Sequence, residues 1–357
     1  MVSVQRQTIS DSHPDFPPIE EITVELWGPF DTHQRLFNGQ AVDRLDEMPA
    51  YFEYLRRQWF AMATDADGRY VTARQLQDVY GIVRLLREGY SRDYVLSDLK
   101  QTNPGATENA CSNSINLAIR LLLMLKIGAV QHQATPHRGL EWQSGTLASF
   151  LHGHFGSPQI LDSHVRLPKT FNAWSIAVIG GLAIEFTDNI ADHLRLIEDD
   201  GTLLVFHHAS FLERQGSSLY PEGFVNETLR TLALLFPQSE FSSMPIHGND
   251  RSAWLKRTCR KYELGLVDKR VALCGNLRAE DRQIERFTFW RDRLIILKQV
   301  YDDARPNTLH QWWHDRRNGE RWFTFWVAVL VLVITTTLGL IQTIESALQV
   351  YKAYYPN

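Results

Sequence analysis

The chain has 357 residues, 44% of them apolar and 22% charged, with a formal charge of −4 and a pI near 6.4. That composition lets most of the chain bury a core in water, and the lack of a general basic field argues against a nucleic-acid partner. Three cysteines, Cys111, Cys259 and Cys274, stand far apart with no CxxC spacing, giving neither a disulfide framework nor a zinc knuckle and suiting a reducing, cytosolic body.

Residues 1–45 read as a flexible arm. They contain no apolar h-region of a signal peptide, and ITVELWG (Ile22 to Gly28) alternates well enough to predict one short strand. Met48 to Ala63 has helical period. DADGRYV then places Asp65, Asp67 and Gly68 as in the middle of a calcium loop, but Ala63 and Arg74 stand where the flanking carboxylates belong, so a polar turn is expected. A helix from Thr72 to Glu88 would turn Leu76, Val79, Tyr80, Val83 and Leu86 to one face. Two more helices follow, Tyr94 to Lys100 and Thr107 to Lys126, and then AVQHQ and GLEWQ read as strands around the turn TPHRG. Three helices and a hairpin predict a winged-helix-like module over 46–155. The third helix offers Glu108, Asn109, Asn113, Asn116 and a single arginine, Arg120, which suits protein contact rather than DNA.

Residues 156–317 predict an α+β and then helical unit. LAIEFT is a strand, DNIADHL a short helix capped by Thr187 or Asp188, and LRLIEDDGTLLVFHH two strands folded at Asp199, Asp200 and Gly201. Histidines gather here and just before: His152, His154, His164, His193, His207 and His208. His193, His207 and His208 are the candidate metal ligands. Consecutive strand residues point to opposite faces, however, so at most one of His207 and His208 is expected to join a site, and no metal or cofactor is expected. Ser210 near His208 lacks an orienting third group, and Asp188 and Asp192 read as surface carboxylates sharing a helix face. The chain carries no GxSxG, HExxH, GxxxxGK[ST] or strand-turn-helix GxGxxG pattern, and no catalytic residue is assigned. Helices are expected over Glu222 to Phe236, Arg251 to Tyr262 and, as one long segment, Glu280 to Asp303. In the last, Ile284, Phe287, Trp290, Leu294, Leu297 and Tyr301 form an apolar stripe.

Residues 318–357 form a membrane tail. From Trp322 to Ile344 the chain is uncharged, and as a helix this stretch reaches about 34 Å, enough for a hydrocarbon core of about 30 Å. Trp312, Trp313, Trp322 and Trp326 suit one interface and Tyr351, Tyr354 and Tyr355 the other, with Phe323 and Ile344 inside the span. Thr335, Gly339 and Gln342 would permit close helix packing and so a homo-oligomer. Arg316, Arg317 and Arg321 precede the span and only Lys352 follows it, so the positive-inside bias keeps the body cytosolic and predicts a single-pass, tail-anchored protein, most readily of an endomembrane.

TDNIADHL, LLVFHHASFLE, FTFWRDRLIILKQVYDD, QWWHDRR and WFTFWVAVLVLV with IQTIESALQVYKAYYP together resemble a set of fungal proteins with one C-terminal transmembrane helix and no established activity. The resemblance implies no catalytic residues. It implies accessory proteins encoded beside secondary-metabolite clusters, and a likeness to CorA-type magnesium channels. This chain departs from the latter in having one span and no Gly-Met-Asn loop, its nearest look-alike being Gly248-Asn249-Asp250 far upstream. The expectation is a membrane-anchored, non-catalytic interaction or scaffold protein with the bilayer and an undetermined protein as partners. The alternatives are an accessory membrane protein of secondary metabolism or a divergent CorA-like transporter subunit.

Overall fold

Helix α5 (Glu108–Leu123) is the element around which the others pack. It opens on Thr107, whose hydroxyl accepts the N–H of Ala110, and from Ser114 to Leu123 it is buried on every side, as a helix inside a core must be. Its last carbonyls have no partners of their own, and side chains supply them: Tyr51 reaches Leu121 O at 2.6 Å, Trp27 Nε1 reaches Leu122 O at 3.1 Å and Tyr220 reaches Leu123 O at 2.7 Å. The computed structural model describes residues 17–28, 48–63, 70–128, 140–156, 161, 164–215, 219–241, 250–262, 265–304, 311 and 319–355. The architecture is α+β: helices around a small three-stranded sheet, with one long apolar helix at the C-terminus.

Four expectations are corrected. ITVELWG is not a strand but part of α1 (Ile19–Trp27), which turns Ile22, Thr23 and Leu26 inward and stops at Gly28, whose φ is +84°. Ile22 and Leu26 are four apart, and that spacing closes a helical face while the alternation is too short to hold a strand. Helix α3 (Leu76–Arg87) starts four residues late, because Ser114 Oγ takes the N–H groups of Thr72 and Ala73 and pins that segment to α5. Leu76, Val79, Tyr80, Val83 and Leu86 are buried as read. The segment from Glu280 is two single 3-10 turns and then α12 (Arg291–Asp303), since the Glu227 carboxylate accepts the N–H groups of Thr288, Phe289 and Trp290 and fixes the helix start there. DNIADHL is a single 3-10 turn, Ile190–Asp192, whose cap residue is Asn189; Asp188 points inward instead.

Helices α3, α4 (Arg92–Thr102) and α5 follow one another and pack together. AVQHQ and TPHRG lie outside the described residues, as do Asp65, Asp67 and Gly68. Leu140 makes only an isolated bridge to Ile127. Arg120, expected on an open face, is 3% exposed and donates to Ile127 O.

In the sheet, β3 (Thr202–Phe206) lies between β1 (Ala183–Thr187), parallel to it, and β2 (Arg195–Ile197), antiparallel. The β2–β3 connection places Glu198, Asp199 and Asp200 at positive φ and leaves Gly201 outside that region. Helices α6 (Leu147–Phe155), α7 (Ala173–Val178), α8 (Ala209–Arg214), α9 (Phe224–Leu235), α10 (Gln238–Phe241) and α11 (Asp250–Lys261) complete the body, and one continuous apolar core runs from Ile22 to Tyr301. The terminal helix, α13 (Gly319–Tyr354), contributes nothing to that core. The most apolar 18 residues of its stretch Trp322–Tyr354 have mean hydropathy 2.3 and none of them is buried, and it is the one helix among the described residues long and apolar enough to cross a membrane.

Candidate functional site: a buried carboxylate between two histidines

The parallel register pairs Thr187 with Phe206, so the residues that follow, Asp188 and His207, leave the sheet at the same end. That end, beyond the carboxyl termini of parallel strands, is where open α/β sheets carry their sites. Here the strand ends, and with it the alternation: His208 has φ −78° and ψ 70° and caps α8. His207 and His208 therefore turn to the same side, rings stacked with centroids 3.9 Å apart, which corrects the expectation that at most one could join a site. Asp188 Oδ1 lies 2.7 Å from His208 Nε2 and 3.4 Å from His207 Nε2, and Asp188 Oδ2 accepts from Arg57 of α2 (Pro49–Ala63). Tyr262 stands edge-on to His207 at 5.1 Å and Tyr54 edge-on to His208 at 6.1 Å. Both imidazoles and the carboxylate are buried, while Arg57 is 30% exposed.

Burial alone would raise the Asp188 pKa, but hydrogen bonding and charge from His207 and His208 outweigh it and hold the carboxyl well below its usual range. Burial, reinforced by the charge of its neighbour His208, lowers His207 to about 4, and burial lowers His208 as well. The centre is thus a carboxylate kept ionised beside a guanidinium, with two imidazoles whose protonation burial disfavours.

Asp188, His207 and His208 offer three ligand atoms within 4.8 Å of one another, as a metal site would require. The hydrogen bonds argue for a different use. His207 Nδ1 accepts the backbone N–H of Asp268 at 3.2 Å, so its single proton sits on Nε2, the atom that would have to bind the metal. A ligating histidine needs the reverse, with the outer nitrogen as the donor. Arg57 adds a positive charge on the carboxylate that a cation would need. The donor set fits an anion already present, the Asp188 carboxylate.

His193 stands apart from this pair. Its Nε2 meets Thr231 Oγ1 at 2.6 Å, its Nδ1 accepts the N–H of Phe206 at 3.1 Å, and burial with the nearby Arg293 charge lowers its pKa to about 3. The Ser210 hydroxyl donates to Asp268 Oδ2 at 2.6 Å rather than to His208. Asp188 and Asp192 do not pair; Asp192 accepts from Asn189 and Arg195. Arg57 and Tyr262 carry no signal in the sequence that precedes the fold, and Asp188, expected on the surface, joins the site only because β1 pairs parallel to the strand that ends in His207 and His208.

No protein-family model matches the chain, and no curated protein and no solved structure matches it either.

Proposed function

We propose that the protein is a single-pass membrane protein in which the C-terminal helix fixes a non-catalytic interaction body on the cytosolic face. The observation that carries this reading is the exposure of Trp322–Tyr354: a core helix of a soluble protein would be buried and a signal sequence would stand near the N-terminus, whereas this apolar helix is neither. The orientation follows from Arg316, Arg317 and Arg321 against the lone Lys352. A non-catalytic body is supported by the commitments at its buried centre, where both Asp188 oxygens and the Ser210 hydroxyl are engaged. A pore-lining role is not supported, because the hydroxyls of Thr335, Thr336 and Thr337 turn back to carbonyls of their own helix.

The test is alkaline carbonate extraction of the full chain together with a glycosylation acceptor placed on a short extension after Asn357. The expected result is a protein that stays with the membrane and carries a glycosidase-sensitive glycan on the extension. Release by carbonate overturns the anchor, and retention without the glycan overturns the orientation. The natural sequon Asn226-Glu227-Thr228 is a poor reporter, since Thr228 is fully buried with its hydroxyl donating to Phe224 O and accepting from Trp290 Nε1.

A further inference from the structure

A polar cleft of about 340 Å³ opens on the side of α5, away from the Asp188 centre. Asn109, Ser112, Asn113 and Asn116 fall on one face of the helix and line it. Across from them stands Arg92, the first residue of α4, held from its backbone by an N–H to Gly145 O at 2.9 Å. Its guanidinium lies over the Trp142 ring at 5.1 Å and donates to Asn116 Oδ1 at 3.2 Å and Ser112 Oγ at 2.6 Å. All of these partners are neutral, and among the described residues no carboxylate forms an ion pair with Arg92. Burial lowers its pKa, with Asp93 acting weakly in the other direction. A guanidinium taken partly out of water without a counter-charge is costly, and such groups are ordinarily paired. A second observation points the same way. Trp142 is 3% exposed, lines the same cleft, and its indole Nε1–H has no acceptor.

We propose that this cleft binds the carboxylate of a small polar molecule, with the Arg92 guanidinium as its donor. The planar fork of an arginine matches a carboxylate. Glu141 on the cleft wall repels a doubly charged group, which favours a carboxylate over phosphate. Asn109 and the amide oxygens of Asn113 and Gln143, whose nitrogens donate to Tyr70 O and Glu141 Oε2, line the rest of the cleft and can pair hydroxyl or amide groups of a ligand, and the cleft volume sits at the lower end of small-molecule sites.

Isothermal titration of the detergent-solubilised full chain with lactate, glycine, N-acetylglycine and inorganic phosphate tests the assignment. The expected result is saturable binding of at least one carboxylate, tighter than phosphate. Arg92→Gln weakens it by about tenfold or more, as loss of a charge-assisted hydrogen bond does. Trp142→Phe keeps an aromatic face for Arg92 and breaks no hydrogen bond of the free protein, but the volume it removes from the core should lower Tm, so it reports how far packing loss alone weakens binding. Glu141→Gln should bring phosphate closer to the carboxylates. The assignment is overturned if none of the three carboxylates saturates the wild type, if phosphate binds as tightly as they do, or if Arg92→Gln binds unchanged.

Discussion

Asp188 takes hydrogen bonds or close contact from three side chains, so its charge and theirs stand or fall together. Asp188→Asn removes the anion while leaving Arg57 and two imidazole N–H groups facing it, and chemical denaturation should report a loss of about 3 kcal/mol, the lower end for a broken buried pair because Arg57 is partly exposed. The same centre makes stability depend on pH. Unfolded, each imidazole takes a proton near pH 6.5; folded, His207 does so only near 4 and His193 only near 3. Between those limits the unfolded chain binds more protons, so stability is full above pH 6.5 and falls as the pH drops, by up to about 1.4 kcal/mol per pH unit for each histidine. Asp188, held low, adds a further loss below its unfolded pKa of about 4. Denaturation curves from pH 7.5 to 4 check the slope, which His193→Gln should make shallower by one proton's worth. Zinc dialysis tests the tautomer reading: the purified body should retain no stoichiometric zinc, and zinc lost on His207→Gln and His208→Gln would overturn the assignment of the His207 proton to Nε2.

At the scale of elements, the β2–β3 turn and the start of α12 carry the most specific backbone demands. Glu198, Asp199 and Asp200 all stand at positive φ, where a residue other than glycine is strained. Asp200→Gly should therefore raise stability by up to about 1 kcal/mol. Gly201→Val should lower it for a different reason, since a Cβ there would come within 3.0 Å of Glu198 O. Thermal unfolding of the two variants, moving in opposite directions, checks the turn. Glu227 replaces three missing acceptors at the start of α12, and Glu227→Gln should cost about 2 kcal/mol, as loss of charged hydrogen bonds to backbone N–H groups does, with no change of fold by circular dichroism. Periodicity alone ran a helix through this point because the apolar stripe from Ile284 to Tyr301 is real and buried; what breaks it is a carboxylate about 60 residues upstream.

For the whole molecule, the core closes without the terminal helix. A chain truncated after Arg317 should remain folded and soluble, with the acid-side slope described above and no membrane pelleting; a truncated protein that still sediments with vesicles would reveal a second attachment. The sequence by itself determined what depends on neighbours a few residues away. It placed the apolar faces of α3 and α12, the start of α5 though not its end, the β2–β3 turn, and the long apolar helix at the C-terminus, because helical spacing, turn chemistry and hydropathy are local properties of a chain. Only the tertiary structure decided the rest. That β1 lies parallel to β3, that Asp188 thereby meets both His207 and His208, that Arg57 pairs with it, and that Arg92 stacks on Trp142 opposite the asparagines of α5 are meetings of residues far apart in the chain. The energy of such meetings resides in burial and hydrogen-bond geometry that exist only once the chain has closed upon itself.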